Sequence, residues 1–167
     1  YKVSRPFNIA TKENLDNEVA KDFINYIMSA EGQKVVEDNG YIAVEGAEAF
    51  EGTQPSGKAV VGGSSSVSPV MEKLAEAYKE VNPNAEIELQ TTDSTTGMTS
   101  AIDGSYDIGM ASRELKEEEI AELDAKVIAT DGIAVIVNNN NAMDELSSDQ
   151  VKAIYTGEAL TWDEVVE

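Results

Sequence analysis

The chain contains no cysteine and no histidine among its 167 residues. Without cysteine there is no disulfide framework, no thiol nucleophile and no thiolate metal site, and the redox compartment stays undecided. Without histidine the Ser-His-acid triad, the usual zinc sites and the commonest general base are excluded. Basic residues are scarce: 12 Lys and Arg stand against 32 Asp and Glu, a formal net charge of −20. That balance argues against a nucleic-acid partner, whose affinity rests on cations neutralising phosphates. No apolar run approaches the ~20 residues of a membrane span, and no stretch reads as a signal peptide. Hydrolysis is left without an evident base. A carboxylate base is the one route left to an enzyme, the weakest of the readings, and the chain is read as a non-enzyme with no cofactor and no metal site.

What remains is ample for a fold. The length fits one compact domain, and a hydrophobic fraction of 41% is ordinary for a globular protein. Residues 7–10 read as a strand. Ala20, Phe23, Ile24, Ile27 and Met28 recur at helical spacing and predict a helix over 17–29. A shorter helix over 30–37 turns Val35 and Val36 inward and stops at Asn39-Gly40. After a short extended piece at 41–44, residues 45–58 mix Gly, Pro, Ser and acids without a period. They read as a linker between segments 1–44 and 59–167, the whole forming one compact domain.

Beyond the linker, strands and helices alternate. A strand at 59–62 precedes a helical face of Val70, Met71, Leu74, Ala77, Tyr78 and Val81, broken at Asn82-Pro83. Residues 86–90 alternate like an edge strand, and a polar turn over 91–96 leads to a short helix at 97–102. Then come a strand at 107–111, an acidic helix over 114–123, and strands at 126–129 and 133–137 parted by Asp131-Gly132. The run at 133–137 is continuously apolar, as a strand covered on both faces would be. Ser147 and Gln150 form a capping box, with Leu146 and Val151 placed as a staple, and the helix stops at Gly157. A second box, Thr161 with Glu164, lies so close to the end that the chain reads as cut. The class is α/β, with a mainly parallel central sheet of about five strands and helices on both faces.

The organising stretch is Val61-Gly62-Gly63-Ser64-Ser65-Ser66-Val67-Ser68-Pro69. The two glycines permit a tight turn and close approach to a ligand, while Ser68 as N-cap and Pro69 at the first helical position would open a helix. A hydroxyl-rich turn at a helix N-terminus suits an anion. Two further strand ends lead through similar turns, Ser94-Thr95-Thr96 and Ala111-Ser112. In an open parallel sheet ligands bind beyond the carboxyl ends of the strands. Converging donors of this kind suit a tetrahedral oxyanion; the plain alternative is three independent helix caps. Gly52 to Lys58 approaches a P-loop, but Ala59 stands where magnesium needs Ser or Thr, and the segment precedes a strand. It reads as linker. Glu117-Glu118-Glu119 reads as a solvated helix face, and Asn138 to Asn141 as a loop rather than a calcium site.

Gly63 through Tyr78, Asp93-Ser94-Thr95-Thr96-Gly97, Asp107 through Leu115, Asp131 through Val137, and Ile154 through Gly157 with Thr161-Trp162 resemble the phosphate-binding proteins of bacterial Pst-type ABC importers, in the type II periplasmic-binding-protein superfamily. Ser4-Arg5-Pro6 through Ile42 resembles that family's carboxyl-terminal segment, here placed first. The resemblance implies one lobe of a two-lobed protein, with the second lobe missing from this chain. Two explanations fit the order: excision from a tandem pair of modules, favoured by a natural-looking linker, or a circular permutant with a designed one. It also implies inorganic phosphate as ligand, ABC permease subunits as partners, and an extracytoplasmic location, periplasmic or as a membrane-anchored lipoprotein.

The implied ligand contacts are Ser66 and the backbone N–H of Val67, then Ser94, then Ser112, with Ser65, Thr95 and Arg113 as further candidates. Some family members carry at the Ser112 position an aspartate that accepts a proton from bound phosphate; here it is serine. Arg113 compensates for that change or pairs with nearby acids. The serine keeps a second reading open, a lobe for another oxyanion such as sulfate or molybdate. A third is a non-transport sensing or interaction module of the same fold.

Overall fold

The computed structural model describes residues 4–141, 143 and 145–165, so the outermost ends of both expected segments lie outside the described residues. The described residues divide into two compact units, a larger one over Arg5–Gly132 and a smaller one that contains the 145–165 stretch.

The larger unit holds a five-stranded sheet. In chain order come β1 (Ser4–Lys12), α1 (Glu18–Met28), α2 (Ala30–Asp38), β2 (Gly57–Ser64), α3 (Ser68–Val81), β3 (Ala85–Thr92), α4 (Ser94–Asp103), β4 (Ile108–Ala111), α5 (Glu117–Ile120) and β5 (Leu123–Gly132). The sheet order is β3-β2-β4-β1-β5. β2 runs parallel to both β3 and β4, while β1 enters antiparallel to β4 with Asn8 opposite Ala111. The strand from the first segment thus sits inside the sheet, among strands of the second.

Alternation across the strands divides the core. Phe7, Ile9, Ala59, Val61, Ile108 and Met110 join the larger cluster with residues of α1, α2 and α3, including Phe23, Ile27, Val36, Leu74 and Tyr78. A fully buried side chain of this size contributes about 2 kcal/mol. Ala10 and Ala111 join Met98 and Ala101 of α4 and Leu123 in a smaller cluster. The α4 side of the sheet is lined by small residues, and this governs the site. A Cβ on Gly97 would lie 2.7 Å from the Met110 carbonyl oxygen and 2.8 Å from the Gly63 Cα, so α4 rests backbone to backbone on β2 and β4. Gly63, at φ +138°, adopts a conformation that favours glycine. The glycines at 62 and 63 therefore make room for Tyr106, for the Met110 backbone of β4 and for α4.

Residues 45–56 lack regular structure yet are strapped down. Phe50 packs edge-on against Tyr26, with ring centroids 5.2 Å apart. Thr53 donates to the buried Asp22 carboxylate through its N–H (2.7 Å) and its hydroxyl (3.1 Å). Tyr78 donates to the same carboxylate at 2.8 Å, and Asn82 holds the Pro55 carbonyl.

Several expected elements differ. α3 is capped by Val67 without a side-chain bond, and Ser68 is already helical. α4 begins at Ser94 rather than at 97, because Asp93 takes the N-cap and accepts from the amides of Thr95 and Thr96. The acidic helix shrinks to Glu117–Ile120, and Glu119 is buried rather than solvated. β5 runs straight through Asp131-Gly132, held by the Arg5–Asp131 ion pair at 2.8 Å and the Ile42–Thr130 bridge. Residues 133–137 form no strand, and Ile136 is 89% exposed. An apolar run becomes a covered strand only where a sheet receives it, and the described sheet does not include this one.

In the smaller unit, α6 (Ser148–Thr156) opens on the expected Ser147–Gln150 box and closes on left-handed Gly157. The Thr161–Glu164 box opens a single 3₁₀ turn, Trp162–Glu164.

Candidate functional site

Because β2, β3 and β4 are parallel, their carboxyl ends share one edge, and all three hydroxyl-bearing turns open there. At the first turn the Val67 N–H donates to the Ser64 carbonyl at 3.0 Å. This amide, expected to face an anion, is engaged in closing its own turn, and the Val67 side chain is fully buried. The Ser66 N–H donates to Ser64 Oγ at 3.3 Å, and the Ser68 hydroxyl donates to the Ser64 carbonyl. Ser66 itself is half-buried and Ser65 exposed. α3 then presents a first turn whose N–H groups have no intrahelical acceptors.

At the second turn Asp93 holds the Thr95 and Thr96 amides and accepts from the Thr96 hydroxyl at 2.6 Å. The Thr96 hydroxyl and amide, with the Thr95 amide and the Arg113 charge, keep the Asp93 carboxyl below the ordinary range. The Thr95 amide is thereby occupied, and its side chain is exposed. Ser94, half-buried, points its oxygen at the third turn and accepts the Ser112 N–H at 3.2 Å.

The third turn closes the constellation. Ser64 Oγ donates to Ser112 Oγ at 3.0 Å. A relay therefore runs from the Ser66 amide through the Ser64 hydroxyl to the Ser112 hydroxyl, and a separate bond from the Ser112 amide ties in Ser94. These bonds use Ser112 and Ser94 as acceptors, which leaves their hydroxyl protons available for a further acceptor. Thr92, opposite Ser64 in register, has the only buried side-chain oxygen without a partner among the described residues. Arg113 pairs with an acid, one of its two expected roles: its two terminal nitrogens each meet a Glu119 oxygen at 2.8 Å. The Arg113 guanidinium in turn holds the Glu119 carboxyl below its usual range.

A family model described as a PBP superfamily domain matches residues 48–166. The chain belongs to the PBP superfamily. It is 57% identical over 166 residues to phosphate-binding protein PstS 2 of Streptococcus agalactiae serotype V, a match covering 99% of this chain and 57% of that protein. A crystal structure of the phosphate-binding protein of a Streptococcus pneumoniae phosphate ABC transporter superposes with a TM-score of 0.92 at 43% identity. It covers 99% of this chain and 64% of that one. A Clostridium perfringens protein solved with bound phosphate matches at 39% identity and a TM-score of 0.50, over 66% of this chain and 46% of that one. The chain thus spans less than two thirds of the length of the streptococcal relatives.

Within this PBP lobe the structure brings Ser66, Ser94 and Ser112 to one edge and ties them through Ser64, a residue absent from the ligand set the resemblance implies. Ser64 is legible only once β2 is known to extend two residues past the expected strand end. Asp93 was within reach of sequence reasoning, since an Asp three residues before Thr96 is an N-cap pattern. Asn8 carried no such signal; its amide donates to the Arg113 carbonyl at 2.9 Å from a strand 105 residues away in sequence. No helix among the described residues is long and apolar enough to cross a membrane.

Proposed function

We propose that this chain is the lobe of an ABC-importer binding protein that supplies one half of a phosphate cleft, held by Ser66, Ser94 and Ser112 with Ser64 behind them. The observation that carries this reading is the hydroxyl relay joining three βα turns at the carboxyl edge of the sheet. A tetrahedral oxyanion accepts many hydrogen bonds, and neutral donors fixed in advance replace its hydration without a matching charge. The names of the streptococcal relatives and the bound phosphate of the clostridial structure point the same way.

The rest of the protein supplies the opposing lobe. The match to the Streptococcus agalactiae protein runs through both segments and the linker, and that protein's unmatched part is shorter than its matched part. A tandem pair would need an opposing lobe on each side of this one, for which so short a remainder leaves no room. This favours a natural, circularly reordered binding protein over both a tandem excision and a designed linker. On this reading the protein binds rather than catalyses, works outside the cytoplasmic membrane as a tethered lipoprotein, and hands phosphate to permease subunits. Serine at 112, with no acid in the relay, favours sulfate as the second candidate ligand.

The test is Ser66→Asp in the full-length protein. A carboxylate against the anion should abolish phosphate binding in a calorimetric titration, whereas unchanged affinity places the anion elsewhere.

A further inference from the structure

Ser112 stands at the centre of the relay, and the residue after it is the one arginine near the half-site. Building on the phosphate reading above, we infer that Asn8 and the Arg113–Glu119 ion pair form a clamp that positions Ser112 for the anion and holds the arginine charge off it.

Six hydrogen bonds fix the Ser112-Arg113 step. The Ser112 N–H is held by Ser94 (3.2 Å) and its hydroxyl oxygen by Ser64 (3.0 Å). The Arg113 carbonyl accepts from Asn8, which is only 4% exposed, at 2.9 Å. The Arg113 side chain is pinned by both oxygens of Glu119 and donates to the Glu114 carbonyl at 3.0 Å. Glu119 is suited to this role. Its side chain is 6% exposed, and one of its oxygens also accepts the Lys116 N–H at 2.8 Å, which closes the loop from 113 to 119 on itself. A fork-to-fork pair of this kind is specific in geometry and locally neutral. A free guanidinium beside the relay would attract any anion. The paired one leaves recognition to hydroxyls, which read shape and proton count. Asn8 comes from the first segment and Ser112 from the second, so the clamp also requires both pieces to be assembled.

Asn8 and Glu119 act through Ser112 and are positioning residues. The test titrates inorganic phosphate into the full-length protein, at low and high ionic strength, for wild type, Glu119→Gln, Arg113→Lys, Asn8→Ala and the exchanged pair Arg113→Glu with Glu119→Arg. The clamp predicts a loss of about tenfold in Arg113→Lys and in Asn8→Ala, the size usual when a partner orienting a ligating group is removed, with the salt dependence of wild type. In Glu119→Gln the released guanidinium reaches the anion and the salt dependence becomes steeper than in wild type, while the exchanged pair recovers wild-type salt dependence and most of the affinity. A salt dependence of Glu119→Gln equal to that of wild type, or unchanged affinity in both Arg113→Lys and Asn8→Ala, overturns the clamp. Binding by the exchanged pair that is weaker than by either single variant overturns it equally. Thermal melts of Arg113→Lys and Asn8→Ala, which keep the local charge balance, separate lost positioning from lost folding. A wild type that binds no phosphate would sink the phosphate reading instead.

Discussion

The hydroxyl of Ser64, at the end of β2, donates across 3.0 Å to that of Ser112, just beyond the end of β4. With its acceptor site filled by Ser64, Ser112 is left with a proton to offer a further acceptor. Ser112→Ala in the full-length protein should therefore cost about 1.5–3 kcal/mol of phosphate binding, the range for hydrogen bonds to charged groups. Ser64→Ala should cost less, because it disorients a donor rather than removing one. Calorimetry of both variants checks the order; an equal or larger effect at Ser64 would make Ser64 the contact.

The seat of α4 sets the spacing of Ser94 and Ser112. A methyl on Gly97 meets only backbone, the Met110 carbonyl at 2.7 Å and the Gly63 Cα at 2.8 Å, and neither can swing aside. Gly97→Ala should destabilise by about 2 kcal/mol through overpacking, lowering the melting temperature by roughly 4–8 °C, and should weaken phosphate binding as α4 is pushed off the sheet. A melt and a titration on the same sample report both. An unchanged melting temperature would show that the contact has slack.

The strap at 45–56 depends on one carboxylate. Asp22 accepts from the Tyr78 hydroxyl and twice from Thr53. Asp22→Asn keeps one acceptor but turns a donor toward groups that are themselves donors, for an expected loss of about 1–3 kcal/mol. Limited proteolysis should then cut between 45 and 56, where the wild type resists. Equal resistance would mean that Phe50 alone holds the strap.

Tyr78 sets an alkaline limit. Burial above all, with the Asp22 carboxylate adding to it and the Asn82 amide opposing, pushes its hydroxyl up to about 12 from an ordinary 10.0. Because the folded value is the higher one, the folded state retains a proton that the unfolded chain releases. Its contribution is complete below pH 10 and is lost as pH rises from about 10 to 12, amounting to roughly 2–3 kcal/mol. Urea denaturation between pH 9 and pH 12 should show this limb in wild type and not in Tyr78→Phe. The same slope in both would assign it to another group.

The sequence carried the α/β class, the capping boxes and the three hydroxyl turns, because these rest on local periodicity and short-range spacing. Residues 133–137 misled for a physical reason: apolarity marks a strand only where a sheet is available to cover it, and strand partners are not local. β1 taking the place between β4 and β5, antiparallel to β4, and the burial of Glu119 against Arg113 were equally hidden, since both depend on what the fold brings alongside. In the site, the three turns were legible from their residues, and Ser66, Ser94 and Ser112 within them from the family resemblance. Ser64 and Asn8 were not, because their roles exist only across strands.

The central claim is a half-site that grips phosphate only with its opposing lobe. Calorimetric titration of phosphate into the full-length protein and into this 167-residue chain tests it most directly. An opposing lobe that contributed about three charge-assisted hydrogen bonds would be worth roughly a thousandfold or more, so the full-length protein should bind tightly and the isolated chain about that much more weakly. Equal affinity of the two, or no binding by the full-length protein, would contradict the account.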